Sequence, residues 1–335
     1  MKKISVGITG LGSYVPSMAM TNEDMSKLVE TSDEWITSRT GIRERRIADE
    51  NTATSDLATN AAENALKDAG INASDIDLII VATATPDHMF PSTAAIVQKN
   101  LGAEKAAAFD LSVGCSGFIY AVMTGSNFIA TGMYKKVLVI GAETLSKIVD
   151  WTDRNTCVLF GDGAGACVLE PCDESFGILS SELGSDGPNG DVLILPAGGS
   201  RNPATAETVK NNMHTIKMDG KEVFKFAVRV MEKSSVRVLE EAGLTPEDID
   251  FLIPHQANMR IIDAAMKKLQ LDKEKTYINL DKYGNMSAAS VPVALDEAVR
   301  ENRIKKGDIV LLIAFGAGLS WASIVMRWNR GEKYD

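Results

Sequence analysis

Residues 109–132 form the segment FDLSVGCSGFIYAVMTGSNFIATG, in which a strand pattern changes to a helix pattern within a few positions. We predict a strand over Ala106–Leu111, a tight turn at 113–115 and an apolar helix that ends at Gly132. Cys115 then lies where strand meets helix, beside unpaired backbone N–H groups and the positive end of the helix dipole. Both features would lower the pKa of its thiol and make it a nucleophile, whereas the plainer alternative is a buried core cysteine.

The composition limits the class of protein. The chain has 335 residues, of which 45% are hydrophobic and 24% charged, as in globular proteins with a sizeable core. Its net charge of -10 disfavours a nucleic-acid partner, because an acidic surface repels phosphates. The sequence has no apolar stretch long enough to span a membrane, and glycines and Pro16 interrupt the apolar N-terminus, unlike a signal peptide. We therefore predict a cytoplasmic protein without nucleic-acid or membrane partners.

The cysteines and glycines do not form the usual cofactor motifs. Cysteines stand at 115, 157, 167 and 172, with no CxxC spacing and no histidine nearby, which disfavours zinc and suggests free thiols in a reducing compartment. We predict no bound metal. The segment FGDGAGA at 160–166 lacks the Lys-Ser/Thr of a phosphate-binding loop, so we expect its small residues to pack closely behind the Cys115 turn.

An arginine-rich segment, RTGIRERR, lies near the N-terminus. It places Arg39, Arg43, Arg45 and Arg46 within eight positions. The plain interpretation is a solvated charged loop, and the functional one is that at least one arginine holds a phosphate group.

The chain contains an internal repeat. LKDAGINASDIDLII starts at Leu66 and LEEAGLTPEDIDFLI starts at Leu239, an offset of 173 residues (239 − 66). Buried-strand patterns at 137–140 and 310–313 share that offset. We predict two pseudo-symmetric copies of one α/β unit, residues 1–172 and 173–335, with mostly parallel sheets covered by helices.

The repeat also relates candidate catalytic residues. Gly114-Cys115 aligns with Gly284-Asn285, so Cys115 and Asn285 should face a common cleft at the carboxyl ends of the strands. His255 follows the predicted strand at 251–253. Taken alone, Asn285 could be a helix N-cap and His255 a satisfied core residue. The combination of a Cys, a His and an Asn at corresponding strand ends favours a catalytic site.

Seven motifs together resemble a known family. In chain order they are SDEWITSRTGIRERRIA, PDHMFPSTA, VGCSGF, FGDGAGA, PHQANMR, YGNMSAAS and AFGAGLSW. They are similar to the β-ketoacyl-acyl-carrier-protein synthase III family, which initiates dissociated fatty-acid synthesis, and the resemblance covers essentially the whole chain. It departs at Ala317, where many members carry glycine. The resemblance implies a thiolase-like fold of layered α-β-α-β-α type.

The resemblance implies a two-stage acyltransferase reaction. Cys115 would accept the acyl group of a short acyl-CoA primer, with an oxyanion received by the backbone N–H groups of Cys115 and Ala317. His255 and Asn285 would then stabilise the enolate formed when malonyl-acyl carrier protein loses carbon dioxide. The products would be 3-oxoacyl-carrier protein, CoA and CO2, and no metal or redox cofactor is required.

Binding residues are also implied by the resemblance. The partners would be acyl-CoA, acyl carrier protein and a second copy of the chain in a homodimer. The implied CoA-binding residues are Trp35, Arg39, Arg154 and Asn258. The implied primer-pocket residues are Phe90 and Phe315. The acidic carrier protein needs a basic dock, and we predict it on the helix that follows Asn258, where Arg260 and Lys267 share a face seven residues apart; the plainer alternative is an ordinary solvated helix face. The predicted carrier-protein residues are Gln256, Ala257, Asn258, Met259, Arg260, Lys225, Lys267 and Lys268.

Three other interpretations differ in their chemistry. A thiolase needs a second acid/base cysteine near its C-terminus, and no cysteine follows Cys172. A non-catalytic scaffold of this fold would lack Cys115, His255 or Asn285, and all three are present. A condensing enzyme of a polyketide or quinolone pathway would keep all three and differ in pocket lining, so it stays open as the alternative.

Overall fold

The computed structural model describes residues 4–331 of the chain. Its strands are β1 Val6–Tyr14, β2 Ala19–Thr21, β3 Glu44–Arg46, β4 Leu78–Ala82, β5 Ala107–Leu111, β6 Val137–Thr144, β7 Asp162–Pro171, β8 Gly177–Ser185, β9 Leu193–Ile194, β10 Lys217–Met218, β11 Phe251–Pro254, β12 Ile309–Gly316 and β13 Ser320–Arg327. Its α-helices are α1 Asn22–Ser26, α2 Asp33–Thr40, α3 Thr54–Ala69, α4 Thr93–Leu101, α5 Gly117–Ala130, α6 Ala206–Lys210, α7 Gly220–Glu241, α8 Met259–Leu269, α9 Leu280–Tyr283 and α10 Ser290–Arg300.

Helix ends follow local signals in the sequence. The sequence patterns predict helices over Thr54–Ala69 and Thr93–Leu101, and α3 and α4 have these bounds. Helix α4 begins after Ser92, whose hydroxyl accepts the Ala95 N–H at 3.2 Å, and ends at Gly102 in the left-handed conformation (φ +67°). The sequence also predicts short helices over Thr21–Val29 and Asp33–Ser38. Helix α1 is shorter than the first of these, and α2 extends two residues beyond the second.

Two sheets carry the repeat. The first has the strand order β1-β7-β6-β4-β5, and the second has the order β8-β13-β12-β11. Strands β1, β7, β6 and β4 of the first sheet therefore occupy the same places as β8, β13, β12 and β11 of the second. The first sheet has one additional strand, β5, at its edge. The predicted boundary at 172/173 falls between β7 and β8.

The sheets are mixed, so the expectation of mostly parallel sheets is wrong. Pairing is parallel between β6, β4 and β5 and between β11 and β12, where helices provide crossover connections. The pairs β1·β7, β6·β7, β12·β13 and β13·β8 are antiparallel. A sheet can switch direction in this way because β6–β7 and β12–β13 connect without a crossover helix.

Helices and sheets alternate in five layers. Helices α3 and α4 cover the outer face of the first sheet, and α7 covers the outer face of the second, with α8 packed beside it. Helices α5 and α10 lie between the sheets and contact strands of both. One apolar cluster, which includes Phe118 and Val291, joins both inner sheet faces to these central helices. No helix within residues 4–331 has the length and hydropathy needed to cross a bilayer.

The glycines of FGDGAGA pack against the second repeat rather than behind the Cys115 turn. A Cβ at Gly163 would lie 2.6 Å from the Met286 sulfur, and one at Gly165 would lie 2.7 Å from Pro292 Cβ. Both contacts belong to the turn and helix that follow Asn285. The expected packing behind Cys115 is therefore wrong, and the small residues instead let β7 approach the Asn285 turn.

Candidate active site

The turn that carries Cys115 lies against the end of β12. Cys115 lies in a single 3-10 turn, Gly114–Ser116, and α5 begins directly after this turn. Cys115 therefore lies between strand β5 and the helix, as the sequence predicts. A Cβ at Gly316 would lie 2.7 Å from the Cys115 backbone nitrogen, and a Cβ at Gly114 would lie 3.2 Å from the Ala317 nitrogen. Only glycine at both positions allows this approach, which brings the Cys115 and Ala317 backbones together.

The electrostatic environment of Cys115 differs from the prediction. Burial raises the pKa of its thiol to about 12; a hydrogen bond with Ser287 acts in the opposite direction, and the nearby Glu143 carboxyl raises the pKa further. The expectation that the pKa falls is therefore wrong in this structure. The side chain is buried among residues of both repeats, and desolvation outweighs the local effect of the helix start.

His255 is held as a neutral imidazole. Its side chain is buried, and burial lowers its pKa to about 3. The backbone N–H donates to the Ile313 carbonyl at 2.8 Å, which fixes the residue beside β12, and Phe315 packs its edge against the imidazole ring with centroids 5.4 Å apart. Neither ring nitrogen has a hydrogen-bond partner within residues 4–331. A neutral imidazole carries one N–H, so His255 can donate one hydrogen bond to a substrate oxygen.

Asn285 is oriented by its own turn. Its Oδ1 accepts the Ser287 N–H at 2.8 Å, which is the N-cap-like contact that the plainer interpretation predicts. Its backbone N–H donates to the Leu159 carbonyl at 2.8 Å, and its carbonyl accepts the Gly161 N–H at 3.0 Å. These bonds leave the Nδ2 amide as the group that can donate to a substrate.

One cavity brings the three candidates together. Its volume is about 1110 Å³, and Cys115, His255 and Asn285 all line it, from both repeats. Phe315, Gly316 and Asn258 line it as well, together with a mixed set of charged side chains: the cations Arg39, Lys217, Lys221, Lys225 and Arg260 and the carboxylates Asp153, Asp191 and Asp219. The arrangement can hold a covalent intermediate on the thiol beside two neutral hydrogen-bond donors, with cations at the entrance for an anionic ligand.

Comparisons with known proteins give consistent matches over the chain. Two family models match, one described as 3-oxoacyl-[acyl-carrier-protein (ACP)] synthase III over residues 109–187 and one as its C-terminal part over residues 239–328. The chain is 65% identical to a β-ketoacyl-[acyl-carrier-protein] synthase III of Caldanaerobacter subterraneus subsp. tengcongensis, over 98% of this chain and 99% of that one.

The chain belongs to the β-ketoacyl-acyl-carrier-protein synthase III family.

It is therefore a condensing enzyme of the acyltransferase class that initiates fatty-acid synthesis. The crystal structure of the Aquifex aeolicus synthase III, which is 49% identical, superimposes with a TM-score of 0.90 over 96% of this chain and 100% of that one. This similarity confirms the thiolase-like fold. A priming β-ketosynthase of the R1128 polyketide pathway is similar at 34% identity, with a TM-score of 0.90 over 98% of this chain and 97% of that one.

Helices α2, α7 and α8 all contribute residues to the lining of the cavity. Two guanidinium groups lie over the ring of Trp35 on α2, that of Arg39 at 4.8 Å and that of Arg154 at 5.0 Å from the ring centroid. Arg154 also donates to the Glu30 carbonyl at 2.8 Å. Trp35 and Arg154 thus lie together, but only Arg39 of these three lines the cavity.

Asn258 joins the two helices of the entrance. Its Oδ1 caps α8 by accepting the Arg260 N–H at 2.9 Å, and its Nδ2 donates to the Arg39 carbonyl at 3.1 Å. Arg260 donates in turn to the Ser38 carbonyl at 3.2 Å. The predicted ligand-binding residue Asn258 therefore has a structural role in the entrance of the synthase III.

The predicted carrier-protein residues fall into two groups. Lys225, Ala257, Asn258 and Arg260 line the cavity entrance, whereas Met259, Lys267 and Lys268 do not. Lys268 pairs with Glu232 at 3.2 Å, and Lys225 pairs with Glu222 at 2.7 Å. Gln256 is fully buried, and its amide donates to the carbonyls of Pro254 and Tyr277. The prediction that Gln256 contacts the carrier protein is therefore wrong in this structure.

The predicted primer-pocket residues are separated in one chain. Phe315 lines the cavity and is 2% exposed, whereas Phe90 is 87% exposed and lies outside it. A single chain of the synthase III therefore does not bring Phe90 to its own pocket.

The burial of two charged side chains, Glu143 and Arg45, was not predicted from the sequence. Glu143, at the end of β6, accepts from the Thr85 hydroxyl at 2.7 Å and the Ala84 N–H at 3.1 Å, and burial raises its pKa to about 7. Arg45 belongs to the arginine-rich segment but is fully buried. An acidic residue within the apolar run VLVIGAET is a sequence signal for Glu143, whereas nothing in RTGIRERR distinguishes Arg45 from its exposed neighbours.

Proposed function

We propose that this protein condenses a short acyl-CoA primer with malonyl-acyl carrier protein through an acyl group held on Cys115. The observation that carries the proposal is the single cavity that Cys115, His255 and Asn285 line together. The cations at its entrance suit the phosphates of CoA and of the carrier's phosphopantetheine arm.

In the first stage the Cys115 sulfur loses its proton and attacks the thioester carbonyl of the primer. The carbonyl oxygen becomes an oxyanion, which the backbone N–H groups of Cys115 and Ala317 are proposed to receive. The carbon–sulfur bond to CoA then breaks, and CoA leaves as a thiol after taking up a proton. The close approach of Gly316 to the Cys115 backbone supports this pairing of donors.

In the second stage the malonyl group loses carbon dioxide, and its electron pair moves onto the thioester oxygen as an enolate. His255 and the Asn285 Nδ2 donate hydrogen bonds to that oxygen and stabilise its developing charge. The enolate carbon attacks the acyl carbonyl, the bond to Cys115 breaks, and the released thiolate takes up a proton. Because His255 is neutral, it donates without first binding a proton.

The direct test is to mix the purified protein with acetyl-CoA and malonyl-carrier protein and to measure the mass of the carrier. The expected product is the 3-oxobutanoyl carrier. If Cys115 is accessible to alkylation but no short acyl-CoA yields a condensed carrier, the proposed reaction is wrong.

The proposal includes a preference for short primers. Phe315 closes the inner wall beside His255, and Phe90 of a second copy would narrow the pocket further. We expect kcat/KM to be highest for acetyl or small branched acyl-CoA and to fall with chain length, measured along a series of acyl-CoA substrates. A preference for long acyl groups contradicts this prediction. A preference for a starter other than these would support the polyketide or quinolone alternative, to which the similarity with the priming β-ketosynthase points.

We propose that α8 contributes to a basic dock for the acidic carrier protein. Arg260 at the N-terminal end of α8 faces the cavity entrance. Arg260→Glu should raise KM for malonyl-carrier protein at least several-fold and leave KM for acetyl-CoA nearly unchanged, because it reverses a charge in the dock. The measurement is initial rate against each substrate, and added salt should weaken carrier binding in the parent enzyme.

Lys67→Glu on the exposed face of α3 is the matched control, since it makes the same charge change in the opposite outer layer. Equal effects of Arg260→Glu on both substrates would reject the dock.

A homodimer is proposed from the exposed edge of the first sheet. Strand β5 is the last strand of its sheet, and Met89 and Phe90 are 81% and 87% exposed nearby in the chain. An edge strand with exposed apolar side chains beside it is suited to pairing with a second copy. Sedimentation equilibrium should give twice the chain mass at micromolar concentration, and a monomer would reject the proposal.

A further inference from the structure

Arg45 is a buried cation whose hydrogen-bond acceptors are all neutral. Its side chain is fully buried, and its guanidinium donates to the Met20 carbonyl at 3.0 Å, the Asn22 Oδ1 at 2.9 Å and the Val158 carbonyl at 2.8 Å. None of the ion pairs within residues 4–331 includes it. Burial lowers its pKa to about 10, so it is still charged at neutral pH. A buried charge without a carboxylate is costly and calls for a reason.

On one side Arg45 is connected to the entrance. Asn22 is 1% exposed, and its Nδ2 donates to the Ile42 carbonyl at 2.7 Å and to Asp33 Oδ1 at 2.8 Å. Asp33 is the first residue of α2, the helix that carries Trp35 and Arg39. Arg45 therefore holds, through Asn22, the N-terminal end of the helix at the entrance.

On the other side Arg45 is connected to the Asn285 turn. The Val158 carbonyl that it binds precedes Leu159, whose carbonyl accepts the Asn285 N–H. Gly284 packs on the same elements, since a Cβ there would lie 2.7 Å from the Leu159 oxygen and 3.4 Å from Arg45 Cβ. The arginine thus supports the wall on which Asn285 is fixed.

We propose that Arg45 is a positioning residue that holds the acyl-CoA entrance and the Asn285 turn in one fixed relation. The proposal rests on the function proposed above. It gives a role to Arg45, which the family resemblance does not include among the catalytic or binding residues. A planar guanidinium suits this task because its fork of donors reaches three acceptors on two separate segments, residues 20–22 and Val158, at fixed angles. Lysine keeps the charge but presents a single compact ammonium group, so it cannot reproduce that geometry.

The test separates the two half-reactions in Arg45→Lys. Rates are measured per accessible Cys115, counted by alkylation, for decarboxylation of malonyl-carrier protein alone and for acylation by acetyl-CoA. We expect decarboxylation per site to fall roughly ten- to hundredfold, because small misplacements of a reacting group have effects of this size. We also expect KM for acetyl-CoA to rise. Asn22→Ser removes the amide that links Arg45 to Asp33 and leaves the Val158 contact of Arg45 in place. It should raise KM for acetyl-CoA while decarboxylation stays close to that of the parent.

Arg46→Met is the matched control, because Arg46 is the next residue, is partly exposed and pairs with Glu44 at 3.0 Å. It should leave both per-site rates near those of the parent. If Arg45→Lys lowers only the melting temperature, with parental per-site rates and KM, then Arg45 is merely structural and the proposal is overturned. If the parent enzyme itself does not condense the two substrates, the proposed function fails instead.

Discussion

Replacing Cys115 with alanine is expected to abolish acyl transfer from acetyl-CoA while decarboxylation of malonyl-carrier protein remains measurable. The proposed covalent bond to the primer forms only at the Cys115 sulfur, so its loss removes the acyl-enzyme rather than slowing its formation. Decarboxylation needs donors at the malonyl oxygen, and these belong to His255 and Asn285, which the substitution leaves in place. The effect on acylation should therefore reach the limit of detection.

The measurement follows radiolabelled acetyl transfer to protein and carbon dioxide release in separate assays. Cys172→Ala is the control, since Cys172 is another free, partly exposed thiol at the far end of β7. It should acylate like the parent. Residual labelling of the Cys115→Ala protein would show that another thiol accepts the primer, and a loss of both half-reactions would show that the two stages are not separable.

His255→Ala and Asn285→Ala are expected to show the opposite pattern. Each should still become acylated at Cys115, and each should decarboxylate malonyl-carrier protein more slowly by a factor on the order of 10²–10³, the usual effect of removing one donor from a water-excluded site. His255 can act only as a neutral donor, because burial lowers its pKa to about 3. Its protonation state should consequently stay constant between about pH 5 and pH 9, so no change in decarboxylation over that range should depend on it.

The same two assays, applied to these variants, measure the effect. His214→Ala is the matched control, since His214 is exposed in a loop, and it should behave as the parent does. If His255→Ala loses acylation as completely as Cys115→Ala, then His255 takes the thiol proton and the proposed division of roles is wrong.

Local sequence patterns determined where helices and strands form and which elements of the two repeats correspond. The N-cap Ser92 and the stop at Gly102 define α4, because capping depends on only a few neighbouring residues. The alignment of Cys115 with Asn285 follows from the repeat. The structure places these residues at equivalent turns, each followed by a central helix, α5 or α10. The match of both sheet orders shows that the same pattern folds in the same way twice.

Burial across the two repeats was decided only by the tertiary structure. Arg45 and Arg46 are adjacent in one charged segment, yet the first is fully buried and the second partly exposed, because Val158 and Gly161 of another segment cover the first. Gln256 was predicted to contact the carrier protein, but it is buried and its amide donates to the Pro254 carbonyl inside the protein.

The thiol of Cys115 shows the same division. Its position at the start of a helix is a local property, and the sequence alone determined it. Its pKa depends on how much water the second repeat removes, and on the nearby Glu143 and Ser287, which lie 28 and 172 positions away in the chain. Desolvation and charge act through space, so only the folded arrangement of both halves decided it.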